Sequence, residues 1–226
     1  MSIHVTLGQA AQRICQFNRK LSYGRLGPAS LSSSATDEDI RNQASLVSEE
    51  RAEFAEAVTV ENALKEAIDC LVVEVWLEVL CAAHAPEGLS IDEAILIVVA
   101  NYERPAYVSE AGKLIQIMAW LGCDVKLALL AVLDDNEDKF HSRVEDCAAT
   151  TRHWTDNNTP CTAKPVDSFS REWGVFRDSD LKLLKPRRML IDKEHGTGLC
   201  LGKFCPTILW AHKLVSMNEV LKRSKD

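Results

Sequence analysis

Long apolar runs, an excess of basic charge and paired cysteines are all missing from this sequence. Its longest strongly apolar stretch, AILIVVA at 94–100, falls far short of the roughly 18 residues that a membrane span needs, so no spanning helix is predicted. Acids outnumber bases 33 to 26, and the formal net charge of −7 excludes nonspecific attraction to nucleic acid or to an anionic membrane. Polyphosphates stay possible as ligands where divalent cations bridge the like charges. The eight cysteines contain no CxxC pair, and no His/Cys cluster has zinc-ligand spacing, so neither a disulfide framework nor structural zinc is expected. Cys15, Cys70, Cys81 and Cys123 lie in helix-like apolar segments, where a thiol behaves as a small hydrophobe. The opening residues lack the apolar core and cleavage site of a signal peptide, and a reducing cytoplasm is the expected compartment.

What is present is an ordinary globular composition, 46% hydrophobic and 26% charged over 226 residues, enough for one core and an appendage. Helical periodicity predicts a first helix over 4–22, a second over 37–58 begun by a Thr36 or Asp37 cap, and a third over 62–84 capped by Asn62. The third has an apolar stripe so broad that burial on most sides is expected. Further helices are predicted over 91–101, 108–122 and 124–150, with Gly122 ending the earlier of the last two. Past 150, TTRHWTDNNTPCTAKPVD reads as loop, and WGVFRDSDLKLLKP as a β-hairpin turning at DSD. A terminal helix is expected at 207–222. The organisation expected is therefore an all-α core over 1–150 and an appendage over 151–226.

The densest charge pattern is SEERAEFAEA, with glutamates at 49, 50, 53 and 56. Residues three or four apart share a helix face, so Glu50 and Glu53 project together, as do Glu66 and Asp69 on the next helix. Two such helices packed antiparallel bring the pairs face to face. Four carboxylates in a small volume repel, and each is costly to desolvate alone. A hard divalent cation removes that cost and prefers oxygen ligands, which points to Mg²⁺, with Mn²⁺ as an alternative. Glu-to-Lys laddering, the mark of a solvated face, is largely missing here, and Asp69 lies within the apolar run AIDCLVV, where it needs a partner. The competing reading is a structural bundle with a solvated acidic face.

Glu50-x-x-Glu53, twelve residues, then Glu66-x-x-Asp69 resembles the ExxE…ExxD signature of the MazG-like all-α nucleoside triphosphate pyrophosphohydrolases. LDDNEDKF at 133–140 is similar to that family's later Asn-x-x-Lys segment, and ICQFNRKLS to the opening helix of its phage and bacterial members. WGVFRDSDLKLLKP is similar to their small C-terminal hairpin, with Leu181-Lys182 where the subgroup usually has Gly-Lys. The resemblance covers about residues 4–190. It implies an all-α helical bundle with a small β-hairpin, assembled as a homodimer or homotetramer. It implies Mg²⁺ held by Glu50, Glu53, Glu66 and Asp69, with Glu50 or Glu53 as proton acceptor. Asn136, Lys139 and Asn18 would bind a nucleoside triphosphate, cleaved between its α and β phosphates. The stretch from Asp69 to Asn136 is longer than in compact members, and CLVVEVW replaces the aromatics usual after ExxD. A catalytically silent helical interaction protein of the same fold is the alternative.

Other residues have plainer readings. The six histidines are dispersed, and Trp76 and Trp120 fall on apolar helix faces where core packing is expected. KPRRM at 185–189 reads as a solvated turn. HGTGLCLG lacks the Lys-Ser/Thr end of a phosphate-binding loop.

Overall fold

The computed structural model describes residues 3–194 apart from 28, 30–33, 85–87, 105–106, 108 and 170. The helix expected at 207–222, His195 and His212 lie outside the described residues. In chain order the elements are α1 (Ile3–Leu26), α2 (Asp37–Glu56), α3 (Val60–His84), α4 (Ile91–Tyr102), α5 (Glu110–Trp120), α6 (Val125–Glu137), α7 (Val144–Asp156), β1 (Cys161–Pro165), β2 (Trp173–Arg177) and α8 (Arg187–Glu194). The fold is thus mostly helical with one small antiparallel sheet. No helix among the described residues is long and apolar enough to cross a membrane.

Two compact units are formed. The described residues of the first fall within Met1–Cys15 and Ser34–Leu133, those of the second within Gln16–Ser33 and Asp134–Cys205. Local chemistry sets the helix ends of the first. Thr36 caps α2 in a reciprocal box: its hydroxyl accepts from the Asp39 amide at 3.2 Å, and the Asp39 carboxylate accepts from the Thr36 amide at 2.9 Å. Ser90 and Glu93 repeat the device at α4. Gly122, at φ +92°, takes the left-handed conformation that ends α5 without a side-chain clash.

The core of this unit is built on α3, which packs against α2, α4 and α5. Ala63, Leu64, Ala67, Ile68, Leu71, Val75, Val79 and Ala83 are all buried, as the broad stripe predicts. Below them Glu78 accepts from the hydroxyls of Tyr102 and Tyr107 at 3.0 and 2.6 Å. Burial pushes its carboxyl above the ordinary range although the two hydrogen bonds oppose the shift.

The second unit is organised around Phe17, Leu21, Phe140, Val166 and Phe176, with Leu183 against them. Strand β1 pairs with β2 in antiparallel register from Cys161 opposite Arg177 to Pro165 opposite Trp173. Helix α7 covers this sheet through Cys147, beside Val175 and Leu184. A Cβ added to Gly24 would stand 2.5 Å from the Phe176 ring, so the close approach of α1 to β2 requires glycine there.

Several expectations need correction. The segment 124–150 is two helices, broken at 138–143, because Phe140 turns into the aromatic cluster and His141 exchanges backbone hydrogen bonds with Trp173 at 2.8 Å each way. Residues 151–156, expected as loop, continue α7. The strand partner of β2 is Cys161–Pro165; the predicted return over 181–184 makes one bridge, Phe176 to Leu183. Helix α1 runs on to Leu26 and stops where Gly27 reaches φ +82°. Thr59, not Asn62, caps α3, its hydroxyl accepting from the Asn62 amide at 3.2 Å. Trp76 is buried, but Trp120 is 77% exposed at the end of α5. KPRRM enters α8, where Arg188 donates to the carbonyls of Asp138 and Phe140 and meets His141 Nδ1 at 3.2 Å.

Candidate functional site

Helix α2 presents one stripe inward: Ile40, Gln43, Ala44, Val47, Glu50 and Phe54 are shielded at helical spacing while the rest of the helix is mostly exposed. Glu50 therefore stands where a core-facing helix ordinarily has an apolar side chain. Polar bonds fix the register of α2 on α3. Gln43 Nε2 donates to the Val73 carbonyl at 2.9 Å, and Arg51 Nη2 meets Glu74 Oε1 at 2.9 Å. The other oxygen of buried Glu74 accepts from the Ala111 amide at the start of α5, also at 2.9 Å, so one carboxylate ties three helices.

In that register three of the expected acids converge. One carboxylate oxygen from each of Glu50, Glu53 and Glu66 lies within 4.8 Å of the others. Octahedral ligands about 2.1 Å from Mg²⁺ stand roughly 3 to 4.2 Å apart, within the bound that this trio meets. One oxygen of Glu66, Oε2, is buried without a hydrogen-bond partner, on a side chain only 13% exposed. An unpartnered buried carboxylate oxygen among carboxylates is what a hard cation satisfies, and the donor set fits Mg²⁺ or Mn²⁺. Repulsion registers on Glu50, whose carboxyl is pushed from 4.5 to about 7 by burial first and then by Asp69, Glu53 and Glu66.

Asp69 joins this group through a residue that the pattern of acids does not reveal. Lys65 Nζ lies 2.8 Å from Glu66 Oε1 and 2.7 Å from Asp69 Oδ2. Burial acts to lower the Lys65 ammonium, but Asp69 and Glu66 outweigh it and hold the group above the ordinary lysine value. Asp69 thus has its partner inside the protein. Its i, i+4 spacing was visible in KEAID, whereas the Arg51–Glu74 pair joins residues on separate helices and left no local signal. Glu49 and Glu56 are exposed on α2.

The other candidates belong to the second unit. Lys139 Nζ donates to Asn136 Oδ1 at 2.5 Å, and Asn136 is only 9% exposed. Lys139 lies 5.9 Å from the centre of the Phe17 ring and Lys20 5.4 Å from that of Phe140, while the two rings are 5.5 Å apart. Asn18 is buried on α1 beside Phe17 in sequence. Lys20 also pairs with Glu172 at 2.5 Å. This second group joins the Asn136 amide and two ammonium groups to two aromatic rings, chemistry suited to phosphate and to a flat ring.

No family model matches the chain, nor does any curated protein or solved structure.

Proposed function

We propose that this chain is a divalent-metal-dependent nucleoside triphosphate pyrophosphohydrolase of the MazG-like all-α kind. The observation that carries the reading is the buried, partnerless Glu66 Oε2 within the Glu50–Glu53–Glu66 group. Glu50, Glu53, Glu66 and Asp69 would hold Mg²⁺ or Mn²⁺. When bound, the ion neutralises phosphate charge and acidifies water in its shell.

The chain's own residues do the rest. Glu50 or Glu53 accepts a proton from the attacking water. The water oxygen bonds to phosphorus, and the phosphoanhydride bond between the α and β phosphates breaks, giving a nucleoside monophosphate and pyrophosphate. Lys139 holds leaving phosphate oxygens as a mobile point charge, and Asn136 and Asn18 orient phosphate or sugar. The proposed setting is the cytoplasm, and the proposed assembly a homodimer or homotetramer.

The second reading, a catalytically silent helical protein of the same fold, draws on Lys65, which gives the cluster a cation of its own. A pyrophosphate-release screen over canonical, deoxy and modified nucleoside triphosphates with Mg²⁺ and Mn²⁺ separates the two. Release that falls at least about a thousandfold in Glu53→Ala supports hydrolysis at this site. No release over the whole panel overturns it.

A further inference from the structure

Lys65 is oddly placed for a merely helical ion pair. The favourable order along a helix puts the acid N-terminal to the base, and Lys65 precedes Asp69. It is 40% exposed, so an extended conformation into solvent is open to it, yet its ammonium turns into the acid cluster and contacts two of the four carboxylates. The contacts divide the cluster. Lys65 takes Asp69 Oδ2 and Glu66 Oε1, while Glu66 Oε2 has no hydrogen-bond partner, and one oxygen of Glu66 stands close to one from each of Glu50 and Glu53. Lys65 thus holds one oxygen of Glu66 and leaves the other without a partner.

We propose that Lys65 is a built-in competitor for the divalent ion, holding Asp69 and one oxygen of Glu66 so that metal takes all four carboxylates only by displacing the ammonium. This rests on the metal reading of the site and adds its regulation. Among the described residues, Lys65 is the cation paired with these acids, and the neighbouring Arg51 is engaged with Glu74 instead. Affinity for a divalent ion follows the number and charge of free ligands, so a resident ammonium lowers it. Wild-type protein then fills only at relatively high metal concentration, and any group that draws Lys65 away, such as a substrate phosphate, raises metal affinity in the same step.

The test is Mn²⁺ binding followed by electron paramagnetic resonance, with wild type, Lys65→Met, Lys65→Gln and, as a control for overall charge, Lys113→Met on α5. Far-UV circular dichroism without metal establishes that each variant is folded, and two replacements guard against one that is not. Removal of the ammonium is expected to tighten Mn²⁺ binding about tenfold in both Lys65 variants, with Lys113→Met unchanged. Binding by the Lys65 variants but not by wild type also supports the proposal, and shows a site closed by its own lysine. Equal or weaker binding in folded Lys65 variants overturns the proposal and leaves the metal reading standing. Absence of binding in all four proteins overturns both.

Discussion

The α2–α3 pair and the second unit are held together by different forces. Among the residues of α2 only Val47 is fully buried, and polar bonds from Gln43 and Arg51 fix the helix on α3 beside a group of carboxylates. The second unit instead closes over two phenylalanines, Phe140 and Phe176, that are almost wholly buried, with a sheet register fixed by main-chain bonds. An apolar cluster stabilises its unit whatever the solvent contains. A contact lined by carboxylates responds to the cations around it. On the proposed metal reading, the stability of the helix pair should depend on divalent ions and that of the second unit should not.

The largest expected break of that contrast is Phe176→Ala, which leaves a cavity in the second unit and costs about 4 kcal/mol in urea denaturation, with or without Mg²⁺. Arg51→Ala acts on the polar side. It leaves the buried Glu74 carboxylate with only the Ala111 amide and costs about 2 kcal/mol, read as a lower urea midpoint. On the proposed metal reading, added Mg²⁺ is expected to restore part of that loss.

A pH profile sharpens the contrast further. With the Glu50 carboxyl raised from 4.5 to about 7, the native state keeps a proton that the unfolded chain releases over that range. The stabilisation is full below about pH 4.5 and is lost as pH rises through 7. Glu50 is half-exposed and its field screened by solvent, so the effect discounts to about 1 kcal/mol. In EDTA, wild type should lose that much more stability than Glu50→Gln between the two ends of the range. Equal slopes would show that the carboxylates do not crowd one another.

The smallest effect concerns Leu181, which sits at φ +56°, where a Cβ is strained and glycine is not. Glycine is the residue usual at this place in the hairpin that the sequence resembles. Leu181→Gly is expected to raise stability by about 0.5 kcal/mol, strain relief exceeding the entropy that glycine adds to the unfolded chain. A drop in melting temperature would mean that the half-buried leucine contributes more by packing than its backbone costs.

Legibility in the sequence followed the range of the forces. The Thr36 cap, the apolar stripe of α3 and the end of α5 at Gly122 are local, and each stands where the pattern puts it. The convergence of Glu50, Glu53 and Glu66 was equally readable, since it needs only helical spacing and a short connection between two helices. Strand β1 was not, because CTAKP has no alternation of its own and becomes a strand by pairing with residues twelve or so positions away. The break after Glu137 was hidden for a related reason: Phe140 leaves the helical path to join Phe17, far off in sequence. Lys65 was in plain view, but reading the acids as a set left its own partners out of account.

Calorimetric titration with Mn²⁺ and Mg²⁺, with wild type beside Glu66→Ala, tests whether the α2–α3 carboxylates form a cation site. The predicted result is saturable binding to wild type, lost in the variant because its deletion removes the oxygen that has no partner. Heats that do not saturate in wild type, or identical isotherms for the two proteins, would contradict it.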